Sequence, residues 1–301
     1  MNIVVTGGTG FVGRHLTETL VREGHHVYIL TRSPENKENT GSVTYVGWLK
    51  EEYDPAEHLP HIDAIVNLAG ESLNSGRWTE ERKQSILNSR LDATQGVLDL
   101  IDRLPRKPEV LVNASAVGYY GQSKTKTFTE ETTTPGNDFL ANVVTQWEDR
   151  ASQAVEKGLR TVYVRFGIIL GEEGALAKMI LPYKMMIGGN LGSGEQWMSW
   201  VHIDDVVGLI DFAIHHKEIE GPLNGTAPEP KRNKDFGKIL GDVLNRPHWI
   251  PAPAFALKIA LGDMSTLLLN GQCVVPKKAT TRGYHFRYPE LKTALESILL
   301  K

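Results

Sequence analysis

The sequence predicts an α/β protein, a doubly wound parallel sheet with a smaller C-terminal lobe, and three observations carry that reading. Short apolar runs alternate with helical patterns through the first two-thirds of the 301 residues. The runs are apolar at successive positions, as strands covered on both faces require. The first run ends in a glycine turn that leads directly into a helical pattern.

Taken in order, the strand-like runs are residues 3–6, 27–30, 43–46, 64–68, 110–114 and 161–166. Residues 12–23, about 79–103 and about 138–157 space their apolar side chains as helices do. The Thr-rich stretch 123–134 reads as a polar surface loop. Beyond residue 170 the pattern changes: Gly188-Gly189, Gly192 and Gly194 mark a loop, and Trp197, Trp200 and His202 follow it. A strand–helix pattern returns over 201–216, where Asp204-Asp205 is expected to cap the helix. Prolines then punctuate the chain, with helices expected near 233–245 and 253–269. The predicted organisation is a nucleotide-binding domain over 1–224, a C-terminal lobe over 225–301, and a contribution to that lobe from 171–200.

The glycine turn is the most informative chemistry. In Thr6-Gly7-Gly8-Thr9-Gly10-Phe11-Val12-Gly13, Gly7 allows a tight turn and Gly10 lets backbone approach a pyrophosphate. Gly13 lets the new helix lie against the strand. Around Thr9, Gly10, Phe11 and Val12 the helix start offers free N–H groups and the positive end of its dipole to phosphate. The second strand ends Leu30-Thr31-Arg32-Ser33, with no carboxylate at 29–34 to accept from a ribose 2′-hydroxyl. Arg32, with Thr31 beside it, suits a 2′-phosphate instead, so NADP(H) is the expected cofactor. Leu68, Ala69 and Gly70 end the fourth strand and admit a close ligand, with Glu71 next. Ser115 ends the fifth, where a hydroxyl is placed to donate to a carbonyl oxygen.

Composition excludes other classes. A formal net charge of −3 with no Lys/Arg block argues against nucleic acid as a partner. Charged residues within the first 30 positions and the lack of a long apolar run lead us to expect a cytoplasmic protein with no membrane partner. One cysteine, Cys273, precludes an intramolecular disulfide. His25-His26 and His215-His216 lack spaced carboxylates, and no metal site is expected.

The Thr6–Gly13 turn, the Asn67–Gly70 strand end and Ser115 resemble an extended short-chain dehydrogenase/reductase. Arg77-Trp78-Thr79, Ser89-Arg90, Ser115 through Gly121, Val164-Arg165-Phe166-Gly167, Gly188–Asp205 and the tail Gly283-Tyr284-His285-Phe286 resemble one divergent branch, the epimerase-family proteins of the family 39U type. That resemblance implies an extended Rossmann fold, NADP binding and further cofactor contacts at Arg90, Gly167 and Ile168. The wider superfamily uses a Tyr-x-x-x-Lys pair to move a proton. Anchored on Glu148, those positions fall here on Leu140 and Val144. Met198 stands where sugar-nucleotide enzymes often hold an arginine for the diphosphate, which argues against a UDP-sugar.

Two functions remain open from sequence. One is an NADP-dependent oxidoreductase or epimerase of a small molecule, with proton transfer sought from Ser115, Tyr119, Tyr120 or Glu71, the last if burial raises its pKa. The other is a regulatory protein that holds NADP(H) and catalyses nothing. Oligomeric state is not set by the sequence.

Overall fold

The computed structural model describes residues 1–300. In chain order its strands are β1 (Asn2–Thr6), β2 (His26–Thr31), β3 (Val43–Gly47), β4 (Ala64–Asn67), β5 (Val110–Ala116), β6 (Thr127–Phe128), β7 (Arg160–Phe166), β8 (Ile168–Leu170), β9 (Trp197–Met198), β10 (Trp200–His202), β11 (Gly221–Gly225), β12 (Lys231–Arg232) and β13 (Cys273–Val274). Its helices are α1 (Phe11–Arg22), α2 (Glu80–Arg103), α3 (Phe139–Glu156), α4 (Ala175–Lys184), α5 (Ile203–His215), α6 (Asn233–Leu244), α7 (Ala254–Leu261), α8 (Thr266–Leu269), α9 (Lys277–Thr281) and α10 (Leu291–Leu299).

Seven strands form one sheet in the order β3-β2-β1-β4-β5-β7-β11, and every pairing in it is parallel. The chain leaves β1 toward β2 on one side and returns to β4 on the other. The strand order therefore reverses at the carboxyl end of β1, where ligands bind in open sheets of this kind. The continuous apolar runs are explained by two cores. Ile3, Val5, Val27 and Val164 pack with α1 and α5 on one face; Val4, Ile65 and Leu111 pack with α2 on the other. A third core, built on Trp200, Phe236, Leu240 and Leu295, belongs to the lobe.

The fold departs from the sequence expectation in four places. The stretch 123–134 contains β6, which pairs with β13, and a buried carboxylate, Glu130, accepting from the N–H groups of Asn224 and Lys278. The helix expected over 253–269 is broken at Gly262, whose φ of +59° ends α7. Residues 277–288 pack on the main sheet, since Ala279, Tyr284 and Phe286 join its core, and α10 then completes the lobe. Finally, His202 caps α5 by accepting from the Asp204 N–H, while Asp205 has another task.

Asp205 is buried and accepts from the N–H groups of Arg287 (2.7 Å) and Tyr288 (2.9 Å) and from the Tyr284 hydroxyl. It pins the C-terminal segment to α5. Asp205→Ala is expected to cost about 2–3 kcal/mol by leaving buried donors unsatisfied. Thermal denaturation and faster proteolysis near residues 284–288 would show it; an unchanged melting temperature would refute the assignment.

Candidate cofactor and active site

The site is built from the floor upward at the carboxyl ends of β1, β4 and β5. Thr6 Oγ1 donates to Asn67 Oδ1 (2.6 Å) and accepts from the N–H groups of Leu68 and Ala69 (both 3.1 Å). Asn67 Nδ2 donates to Asn113 Oδ1 (2.7 Å) and Thr94 Oγ1 (3.1 Å), and Trp147 Nε1 donates to the same Thr94 hydroxyl. These polar side chains are buried and satisfy one another, so the floor is rigid.

Above it, the glycine turn meets α1. A side chain at Gly13 would place its Cβ 2.3 Å from the Gly7 carbonyl oxygen. Gly7 itself has φ +66° and leaves no room beside Leu68 O. Gly10 meets only the Gly7 oxygen and is exposed. Helix α1 has no side-chain cap and no acidic residue in its first turn, like α4, α7 and α10, but it starts from the glycine turn at the carboxyl end of β1. Its first-turn N–H groups therefore open at the point where the strand order reverses, and a dinucleotide pyrophosphate fits there. Thr9 turns its carbonyl to Arg14, Phe11 packs edge-on against His15, and Val12 lies against the main core.

Arg32 follows β2, is exposed, and makes no ion pair among the described residues. Thr31 Oγ1 accepts from the Ser33 N–H. Arg90 on α2 lies against Gly70, within 5.1 Å of the Trp147 ring centroid, and donates to the Ile86 carbonyl. It makes no salt bridge to Asp92, Glu81 or any other acid among the described residues. Burial pushes its pKa down to about 10, so it stays charged at neutral pH.

The expected catalytic residues are all engaged within the protein. Ser115 is buried and donates to Glu148 Oε1 (2.5 Å), so its proton is not free for a carbonyl oxygen. Glu148 takes both prongs of a buried guanidinium, Arg165 Nε (2.8 Å) and Nη2 (2.6 Å). Burial alone would lower the Arg165 pKa, but Glu148 holds it above its ordinary value. Arg165 also stacks on the Tyr119 ring (3.5 Å to the centroid). Tyr119 donates to the Thr133 carbonyl; Tyr120 is buried, donates to Asn224 Oδ1 (2.7 Å), and its phenol is pushed up by burial. Glu71 reverses the expectation that burial raises its pKa. Hydrogen bonds from Ser85 and Arg82 hold its carboxyl below the ordinary range. Gly167 and Ile168 use their N–H groups on the carbonyls of Gly225 and Ser199, which removes those donors from cofactor binding. A Cβ on Gly167 would sit 2.3 Å from Ser199 O, so that glycine serves strand packing.

Leu140 and Val144 face the turn after β5, near Gly118. Beside Leu140 opens a cavity of about 120 Å³ whose lining includes Trp78, Lys83, Asp138, Phe139 and Thr266. Lys83 is paired there with Asp263 (2.7 Å). Glu148 and Arg165 are each legible in the sequence, but their pairing is not. An acid on a helix and a base on the next strand signal it only once the fold is known. Among the described residues no cluster suited to a metal is present.

The model of the NAD dependent epimerase/dehydratase family matches residues 3–224, and a domain of unknown function matches 252–298. The epimerase family protein YfhF of Bacillus subtilis is 50% identical over 299 residues, 99% of this chain and 98% of that protein. The Staphylococcus epidermidis protein SERP0438 is 43% identical over 297 residues, 98% of each chain. Among solved structures, human epimerase family protein SDR39U1 with NADPH superposes with a TM-score of 0.87 at 35% identity, covering 100% of both chains. The UDP-glucuronic acid 4-epimerase of Bacillus cereus, at 18% identity and a TM-score of 0.78 over 99% of this chain and 98% of its own, shares the fold. The chain belongs to the NAD-dependent epimerase/dehydratase family.

Proposed function

We propose that this protein is an NADP(H)-dependent oxidoreductase or epimerase acting on a small hydroxyl or carbonyl compound. One observation carries the cofactor: an unpaired, exposed Arg32 stands at the end of β2 where no carboxylate can take a 2′-hydroxyl. Arg90, charged and without a salt bridge, adds a second cation by Gly70. The likeness to a human protein solved with NADPH supports the same choice. When bound, the dinucleotide supplies the hydride chemistry. The α1 N-terminus and Gly10 would hold its pyrophosphate, and Arg32 its 2′-phosphate.

A second reading, a non-catalytic NADP(H)-binding regulator, is favoured by one fact. Ser115, Tyr120, Tyr119 and Glu71 all spend their polar groups on protein partners. Single-turnover oxidation of NADPH against a panel of small carbonyl compounds decides between the two; tight NADPH binding without turnover of any substrate would replace the first with the second. For the cofactor, Arg32→Ala is expected to weaken NADP(H) roughly tenfold, about 1.4 kcal/mol, and to leave NAD(H) nearly unchanged. Equal losses for both, or none, would remove Arg32 from the site.

A further inference from the structure

Arg14 stands one turn along α1 from Gly10, the residue that starts the helix, and its N–H donates to the Gly10 carbonyl. Residues so spaced share one face of a helix, and side chains lean toward the helix N-terminus. The Arg14 side chain follows that rule. Its Nη1 donates to the Thr9 carbonyl at 2.7 Å, beside the backbone on which a pyrophosphate fits. A cation is therefore held at the mouth of the glycine turn. Its Nη2 is engaged by an anion from the chain itself, Glu173, whose Oε1 lies at 2.6 Å and Oε2 at 2.7 Å.

The place of Glu173 is fixed by its backbone. It belongs to the turn 171–174, which joins β8 to α4 and is closed by a bridge between Leu170 and Gly174. This turn rests on the first residue of α1. A Cβ on Gly171 would fall 2.4 Å from Phe11 Cζ, and one on Gly174 would lie 3.7 Å from Phe11 Cδ1. The two glycines leave room for the Phe11 ring, and Glu173 stands between them in sequence. Among the described residues Arg14 has no other carboxylate within ion-pair distance, and Glu173 no other cation. As a stabilising contact the pair is worth little, because the two side chains are 45% and 56% exposed.

We propose that Arg14 grips the pyrophosphate of the bound dinucleotide, and that in the free protein Glu173 occupies it as an internal stand-in for phosphate. The inference rests on the reading of the α1 turn as a dinucleotide site. A guanidinium forms the same paired bonds to a phosphate as to a carboxylate. The pyrophosphate has a further gain, since it also meets the first-turn N–H groups of α1, whereas the Glu173 carboxylate bonds only to Arg14. Two anions at one guanidinium repel each other, so Glu173 turns out to solvent as the cofactor enters. Glu173 thereby lowers cofactor affinity. Arg14 raises it, and does so for NADP(H) and NAD(H) alike, because the pyrophosphate is common to both; Arg32 serves only the 2′-phosphate.

Fluorescence titration of the full chain with NADPH and with NADH tests it. Glu173→Gln should bind both dinucleotides about threefold to fivefold more tightly. That gain should shrink as salt is raised. Arg14→Gln should bind both about tenfold more weakly, whether residue 173 is Glu or Gln. Both side chains are half-exposed, so the variants should keep the wild-type melting temperature. If the pair merely ties the 171–174 turn to α1, Glu173→Gln will weaken NADPH binding or leave it unchanged, and the proposal falls. It falls equally if Arg14→Gln keeps wild-type affinity, or if Arg14→Gln affects NADPH alone, which would give Arg14 to the 2′-phosphate. A wild-type chain that binds neither dinucleotide overturns the cofactor reading together with this inference. NADPH binding that neither substitution moves overturns this inference only.

Discussion

Glu148→Ala is expected to destabilise the protein by about 3–5 kcal/mol, among the largest effects of any single substitution in the chain. The variant removes an acceptor of three hydrogen bonds, one from Ser115 and two from Arg165. It leaves Arg165, a residue only 3% exposed, with no carboxylate partner and with the rings of Tyr119 and Tyr120 as its remaining neighbours. An isolated buried cation is far costlier than a buried pair is beneficial, so removing both partners should hurt less. Glu148→Leu combined with Arg165→Met is thus expected to recover a large part of the loss. Urea denaturation of the two variants checks this, with coupling read from the double-mutant cycle. A loss under about 1 kcal/mol for Glu148→Ala would mean that Arg165 finds another partner and that the Ser115–Glu148–Arg165 network is not what holds α3 to β5 and β7.

Gly13→Ala should weaken NADPH binding by about a hundredfold or more, equivalent to about 2.7 kcal/mol. The added Cβ would fall 2.3 Å from Gly7 O and 2.5 Å from Gly8 Cα, and both obstacles are backbone. No rotamer change relieves that contact. Either α1 lifts away from β1 or the turn opens, and both displace the first-turn N–H groups from the pyrophosphate position. Gly10→Ala offers the contrast, because its Cβ would meet only Gly7 O, at 3.2 Å, and the neighbouring space is open to the ligand. It should spare folding while still weakening NADPH. Fluorescence titration of NADPH, with circular dichroism to follow folding, separates the cases. Binding by Gly13→Ala within about threefold of wild type would show that the turn tolerates the displacement.

Much of the architecture was determined by sequence alone, because its causes are local. Doubly apolar runs such as residues 3–6 and 64–67 can be satisfied only inside a sheet covered on both faces. Gly7, Gly10 and Gly13 placed the turn at the end of the first strand, and the lack of a carboxylate at 29–34 left Arg32 alone there. The tertiary structure decided what depends on partners far apart along the chain. Ser115 meets Glu148 across 33 residues, Tyr120 meets Asn224 across 104, and Asp205 holds Tyr288 across 83. A hydroxyl at a strand end looks available from its own neighbourhood; whether its proton is already spent is settled by the helix folded against it. The same holds for Glu71, whose ionisation is set by Ser85 and Arg82 on the next helix. Likewise, an apolar helix reads as core in sequence, and only packing revealed that α7 is left uncovered.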